Sequence, residues 1–219
     1  MLEGKYTDKK IEELYAGKNK MLTPYPSLVY VSLGVARKLD DLPHQIIYQL
    51  KEPLFVDDTM EHSALNTTLY HFDPTLALEG KTCVMVMFET YGYEYWTKLR
   101  DTDREEYNKE KKRIADQVIE LLEEKIGDLK KHIEVVDVAT PATFIRYTNN
   151  WQGSYEGWLP GPGSLTLTMK KELPGLKDFY LIGQWVELGG GLPSGIRSGR
   201  NVTQIICKKD GKKFVSKAP

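Results

Sequence analysis

Gly189, Gly190 and Gly191 stand in a row ahead of Leu192, Pro193 and Ser194, and this is the stretch whose residue types point most directly to chemistry. Glycines let a backbone take positive φ or lie very close to something bulky. Pro193 suits the first helical position, where its missing N–H would be unpaired anyway. The free N–H groups of such a first turn, with the helix dipole behind them, make a ready site for an electron-rich group. Upstream, Phe179 to Gly183 reads as a short buried strand, so Phe179 to Ile206 is a strand, a loop, a glycine cluster and a helix. Spacing alone leaves equally open a glycine-rich turn before an ordinary packing helix.

Other chemistry is harder to find. His44, His62, His71 and His132 are scattered, and His62 and His71 would point to opposite faces of one expected strand, so no metal site is expected. There is no H-E-x-x-H, no G-x-S-x-G elbow and no phosphate-binding G-x-x-x-x-G-K-[ST]. The fingerprint G-x-G-x-x-G is absent too: Gly189, Gly191 and Gly195 have the wrong last spacing, with no βαβ unit around them. Cys83, mid-strand, and Cys207, late in a helix, read as packing residues. No acid–base or nucleophilic constellation stands out, which favours a binding role or chemistry carried by a cofactor. From Asn149 to Gly163 the chain is irregular and rich in rings and glycine, and Tyr155 and Trp158 there are candidates to pack on the core or on a flat ligand.

The elements that must position these residues form a mostly antiparallel sheet with covering helices, an α+β arrangement. Thr7 is a candidate N-cap of a short helix carrying Ile11, Leu14 and Tyr15 and ending at Gly17. Ser27 to Arg37 alternates, with Val29, Val31, Leu33 and Val35 on one face. Gln45 to Lys51 is a second strand ended by Pro53, His62 to Phe72 a third, and Lys81 to Glu89 a nearly continuous apolar fourth. After an aromatic knot of Tyr91, Tyr93, Tyr95 and Trp96, Asp103 to Ile126 repeats Ile114, Val118, Leu121, Leu122 and Ile126 at helical spacing. Ile133 to Val138 is a strand, Thr140-Pro141 opens a short helix, and Ser164 to Met169 alternates as a last strand. Residues 1–170 are expected to form one domain and 171–219 a separate C-terminal segment.

Composition sets limits. The 219 residues can bury a sizeable core, and 41% hydrophobic and 28% charged residues are ordinary for a globular protein. A net charge of -1 argues against nucleic acid as partner. Two distant cysteines make no disulfide framework, so a reducing, cytoplasmic setting is the natural reading. No apolar run has signal-peptide or membrane-spanning length, which leaves peripheral membrane contact open. The basic tail from Lys208 reads as a solvated end.

The run from Leu173 to Arg200, with its core Gly183-Gln184-Trp185-Val186-Glu187-Leu188-Gly189-Gly190-Gly191-Leu192-Pro193-Ser194, resembles the C-terminal flavin-binding signature of the phytoene desaturase-like FAD oxidoreductases. That group is related to the amine oxidases and includes carotenoid isomerases and retinol saturases. The stretch from Val135 to Trp158 is similar to the segment preceding the signature, and the likeness is specific from about Val135 to Cys207. The resemblance implies that the last strand returns to an FAD-binding domain and that the glycine-led helix aims its N-terminus at the flavin. Carried over by position, it assigns Gly183, Gln184, Gly190, Gly191, Leu192 and Ser194 to the cofactor, with Gly183 and Gln184 near its ribityl and pyrophosphate; Tyr155 and Trp158, from the ring-rich loop, are the candidates for substrate contact. Gln184 stands where an acidic residue is common. The family's G-x-G-x-x-G half has no counterpart here, so the resemblance implies a C-terminal portion whose partner is the missing N-terminal half.

The leading expectation is therefore a C-terminal fragment of a flavin oxidoreductase that moves a hydride to or from a hydrophobic, polyene or isoprenoid-like substrate. The alternative is an inactive stand-alone α+β domain that binds a hydrophobic ligand or a protein partner, with self-association through the face left bare. An intact amine-oxidase-like enzyme is disfavoured, because residues 1–130 hold no phosphate loop.

Overall fold

The structure, a computed structural model, describes residues 5–15, 21–164 and 167–216. In chain order its elements are α1 (Lys9–Tyr15), β1 (Thr23–Pro24), β2 (Ser27–Val35), β3 (Gln45–Phe55), β4 (Glu61–Leu69), β5 (Thr82–Thr90), α2 (Tyr93–Thr102), α3 (Arg104–Ile126), β6 (Ile133–Ala139), α4 (Pro141–Thr148), β7 (Trp158–Leu159) and α5 (Gly191–Lys209). The chain is α+β, with a five-stranded antiparallel sheet and a two-stranded one. It divides into two units, Pro26–Ser154 and a second made of Met1–Tyr25 with Tyr155–Pro219. The boundary expected at residue 170 is thus displaced. The reason is local pairing: Thr23 and Pro24 pair with Leu159 and Trp158, which ties the N-terminal segment and the aromatic loop to the C-terminal stretch.

The Pro26–Ser154 unit is built on the order β3-β4-β5-β2-β6. Strict alternation in β2 and β5 sends Val29, Val31, Leu33 and Val35, with Val84, Val86 and Phe88, to one face, all essentially inaccessible. They share a core with Ile114, Ala115, Val118 and Leu122 of α3. Each such side chain contributes about 1.5–3 kcal/mol on burial, so the period-3.6 stripe of α3 and the period-2 strands fix one another. Asp103 caps α3 by accepting the Glu106 N–H at 3.0 Å, and Gly127 ends it with φ 71. Beyond that end the Glu123 carboxylate accepts the N–H groups of Asp128, Leu129 and Lys130. Those bonds, the one from Lys130 foremost, hold its carboxyl below the usual range.

Two local expectations change here. Pro53 does not end its strand: β3 runs on to Phe55 through a register shift between Gln49 and Leu54 that absorbs the missing N–H. The aromatic knot is a helix, α2, tied down by Trp96. The Trp96 indole N–H donates to Asp57 Oδ2 at 2.9 Å, and Asp57 also accepts from Thr59 and Thr90. An alternating Tyr-x-Tyr-x-Tyr-Trp run hides a helix because its rings face different neighbours rather than one core.

The second unit has a small core of Leu14, Leu22, Trp158 and Met169, with Trp185 and Leu188 packed against it. Desolvation in this cluster pushes the Tyr15 phenol up to about 12, while its hydroxyl donates to the Lys170 carbonyl at 2.8 Å. The helix end expected at Gly17 and part of the strand expected from Ser164 to Met169, Leu165 and Thr166, lie outside the described residues; Leu167 to Met169 have no strand pairing. The buried strand expected at Phe179–Gly183 is absent. Tyr180 forms an isolated bridge to Glu172, Leu181 N–H donates to the Lys171 carbonyl at 2.8 Å, and Phe179 and Ile182 are exposed. A β-rich run becomes a strand only beside a sheet edge that takes its hydrogen bonds, and here it meets two residues of its own unit.

Candidate functional site

The glycine turn ahead of α5 is where the sequence placed its chemistry, and its backbone carries a run of positive φ values. Gly183, Gly189, Gly190 and Gly191 all have positive φ, at 117°, 100°, 61° and 63°. Gly190 combines φ 61° with ψ 174°, a region that only glycine enters easily. Gly190 is also the N-cap of α5, so no side chain caps the helix. The N–H groups of Gly191 and Leu192 have no acceptor within the helix, and Pro193 has none to offer.

What holds the turn is a set of polar contacts that sequence reasoning missed. Gly189 N–H donates to the Trp158 carbonyl at 3.3 Å, which anchors the turn on β7. Ser194 Oγ and Arg197 Nη2 both donate to the Leu188 carbonyl, at 3.0 and 2.9 Å. Glu187 is gripped by Lys171 at 2.9 Å and Arg197 at 3.5 Å, and accepts from Asn201 at 3.4 Å. Lys171 and Glu187 are mostly shielded from solvent, and Lys171 also donates to the Val186 carbonyl at 3.2 Å. These groups line a cavity of about 420 Å³ beside Gly189. The one sequence signal was the Arg197 spacing, three residues after Ser194, which puts both on one side of α5.

The expected cofactor residues divide. Gly183 N–H donates to Ser198 Oγ at 2.9 Å, and a β-carbon there would meet nothing within 4 Å. Leu192 is 83% exposed. Ser194 is buried, with its hydroxyl spent on the Leu188 carbonyl. Gln184 lies against the aromatic loop, its carbonyl oxygen 2.2 Å from where a β-carbon on Gly157 would fall, so Gly157 admits no side chain. Gly190 and Gly191 are not an open cradle. A β-carbon on Gly190 would sit 2.6 Å from Glu156 Cβ and 3.0 Å from Tyr25 Cε2, and one on Gly191 would sit 2.8 Å from Glu156 Oε1. Of the two substrate candidates, Trp158 is corrected to a core residue. It is 1% exposed, its indole N–H donates to the Trp185 carbonyl at 3.0 Å, and its ring meets Trp185 edge-on. Tyr155 is half-buried and packs edge-on against Tyr25.

Tested against FAD, Gly183 and the exposed Leu192 leave room for a ring edge, whereas the Glu156 carboxylate lies against Gly190 and Gly191 and disfavours a pyrophosphate there.

In the Pro26–Ser154 unit, the sheet face opposite α3 carries Tyr30, Met85 and Met87, with Tyr30 across from Met87 and Ser32 across from Met85. Phe144 stands edge-on over Tyr30 at 5.5 Å and the Tyr70 hydroxyl reaches Met85 Sδ at 4.0 Å. Burial, with Tyr70 nearby, pushes the Tyr30 phenol up. Asn66, Thr68, Ser32 and Asp137 share this face, which is mixed in polarity and only partly covered by the described residues. Among those residues no group of His, Cys, Asp or Glu is arranged to hold a metal, and no helix is long and apolar enough to cross a membrane.

No family model matches the chain. It is 29% identical over 171 residues to prolycopene isomerase, chloroplastic, of Daucus carota, an alignment that covers 75% of this chain and 26% of that protein. The chain thus spans about a quarter of the curated relative it matches. The likeness is distant and agrees in direction with the phytoene desaturase-like resemblance of the glycine-rich run.

Proposed function

We propose that this chain supplies the substrate-facing sheet and the flavin-facing turn of an FAD-dependent oxidoreductase of the phytoene desaturase-like group. The observation that carries the reading is the polarity of α5. Its first two turns bury Ser194 and Ser198 and expose Leu192 and Ile196, the latter at 73%, whereas further along the apolar Val202 is the buried residue. Amphipathic helices ordinarily do the reverse. A helix of this polarity is suited to being covered on its Leu192 side, next to donors that favour an electron-rich ring edge. FAD, when bound, supplies the hydride chemistry. Gly183 leaves room for close approach, and the N–H groups of Gly191 and Leu192 are the backbone donors left over at the start of α5. The Met85, Met87 and Tyr30 face suits a hydrophobic, polyene or isoprenoid-like substrate. On this reading the phosphate-binding fingerprint belongs to sequence outside these 219 residues. Peripheral membrane contact follows from so apolar a substrate, and flotation with lipid vesicles tests it.

The chain alone is expected to purify colourless, and to retain FAD only when combined with a polypeptide carrying a strand–G-x-G-x-x-G–helix unit. Absorbance near the flavin bands after gel filtration reads this directly. A stable yellow holoprotein from the chain alone, or a combination that stays colourless, overturns the assignment. The same exposed leucine and isoleucine also suit the second reading, a stand-alone domain that holds a hydrophobic ligand or partner there. That reading keeps its binding in the absence of any flavin segment, and sedimentation of a compact monomer that takes up no apolar dye counts against it.

A further inference from the structure

Strand β6 carries one residue more than β2 where the two run past Gly34. Gly34 faces Val135 and Val35 faces Ile133, so Glu134 is left over as a bulge. Bulges re-aim a side chain, and the Glu134 carboxylate here pairs with the Lys81 ammonium. Both side chains are partly exposed, and both stand on the wall of a groove of about 330 Å³ in the Pro26–Ser154 unit. Its apolar walls are Gly34, Val135, Leu76, Ala77 and Leu78. We propose that this groove binds a medium-length aliphatic chain that ends in a hydroxyl group, with the chain against the leucines and the hydroxyl on the Lys81–Glu134 pair.

The groove is open by construction. Leu76, Leu78 and Val135 are 48%, 74% and 59% exposed, although all three line the same depression. The loop that bears the two leucines is pinned on either side of them. Asp73 Oδ1 accepts the Thr75 N–H at 2.8 Å and the Thr75 hydroxyl at 2.7 Å, and the Lys81 N–H donates to the Leu78 carbonyl at 3.0 Å. Gly34 keeps the floor clear, since a β-carbon there would already lie 3.1 Å from Val135 Cβ. Apolar surface held apart in this way is preorganised for an apolar ligand. At roughly 30 Å³ for each water-sized group, the groove takes about ten heavy atoms.

The ion pair decides the head group. Lys81 Nζ has three N–H groups and directs one to Glu134 Oε2, while Glu134 Oε1 has no partner among the described residues. A donor and an acceptor therefore stand side by side, and a hydroxyl is both. A carboxylate would meet Glu134 and also Asp137, which lines the groove as well, and an ammonium would meet Lys81. A plain alkane would strip water from the pair and return no hydrogen bond.

The test is a titration of the full chain, with no flavin and no second polypeptide, so its outcome is separate from the flavin reading. It follows the methyl resonances of Leu76, Leu78 and Val135. The probes are octanol, octanoate and octylammonium, each below its solubility or micelle limit. Octanol should shift all three residues saturably, with Kd on the order of 1 mM. Both charged probes should bind about tenfold more weakly. Glu134→Gln keeps an acceptor beside Lys81 and removes the opposing charge, so it should strengthen octanoate binding about tenfold and leave octanol within about twofold. A Glu134 that only shapes the bulge would not reverse the preference in this way. Leu78→Ser, at an exposed position, should weaken octanol about fivefold, read on Leu76 and Val135, with an unchanged urea midpoint. This variant and the head-group series decide the matter even where Glu134→Gln disturbs the bulge. No saturable shift with octanol, octanoate binding as tightly as octanol to the unaltered chain, or octanol affinity unchanged by Leu78→Ser overturns the proposal. So does a correctly folded Glu134→Gln that gains no affinity for octanoate.

Discussion

Replacing Gly190 with alanine tests the turn most sharply, because a neighbouring glycine in the same helix predicts the opposite sign. At φ 61° and ψ 174° an alanine pays a strain of about 1–3 kcal/mol. Its β-carbon would also lie 2.6 Å from Glu156 Cβ and 3.0 Å from Tyr25, so both must shift, which adds roughly 1–3 kcal/mol. Gly190→Ala should therefore loosen the start of α5 by about 2–5 kcal/mol. Gly195 lies inside α5, and a β-carbon there meets nothing within 4 Å. Gly195→Ala gains helix propensity of about 1 kcal/mol. Native-state amide exchange along α5 reads both changes locally. Exchange should be roughly thirty-fold faster or more in the first variant and about five-fold slower in the second. Unchanged exchange in Gly190→Ala would refute the strain argument. Faster exchange in Gly195→Ala would show that this side of α5 is already packed, and would remove the ground for treating it as a face built to be covered.

Asp57→Ala should cost about 3–5 kcal/mol, since it strands the buried Trp96 indole N–H and the Thr59 and Thr90 partners together; Asp57→Asn should lose less, and urea midpoints compare the two. His62 has its pKa lowered by burial, against Asp57 and Glu89 which raise it, and its Nε2 is buried without a hydrogen-bond partner among the described residues. The fold thus favours neutral His62, so stability is fully present above the ordinary value of 6.5 and is lost as pH falls below it toward the depressed value. His62→Gln should flatten that acid limb in a pH series of urea midpoints. Leu192→Asp with Ile196→Asp should reduce any self-association seen by sedimentation without lowering thermal stability, since both side chains are exposed.

The Pro26–Ser154 unit was legible because its elements carry one period each and bury one face each. The alternation in Ser27 to Val35 and Thr82 to Thr90, and the stripe Ile114, Val118, Leu122, leave little choice of partner. The second unit was legible only at its glycines. Their left-handed backbone was readable from residue type, because a run of Gly189 to Gly191 before Pro193 has few other uses. The groups that fix the turn were not readable. Lys171, Glu187 and Arg197 meet only after the chain folds back, and as isolated charges in sequence they look like any solvated residue. Trp158 misled for a related reason: an aromatic in a glycine-rich loop reads as exposed until its partner, here Trp185, is known.

Glu156 alters what the turn can accept. The sequence argument supposed a helix N-terminus open to negative charge, but the Glu156 carboxylate already lies against Gly190 and Gly191. Near a helix N-terminus a carboxylate is stabilised by about 0.3–1 kcal/mol, so the turn supplies its own anion. A second full charge brought to about 4 Å would meet repulsion of roughly 4 kcal/mol at an effective dielectric of 20. That disfavours a pyrophosphate at the glycines. An uncharged, electron-rich ring edge carries no such cost, and the exposed Leu192 side with the open backbone at Gly183 remains accessible to it. The electrostatics of this turn therefore suit the ring end of a dinucleotide and leave its phosphates to be held elsewhere, which is the division of labour that the proposed two-segment flavin site requires.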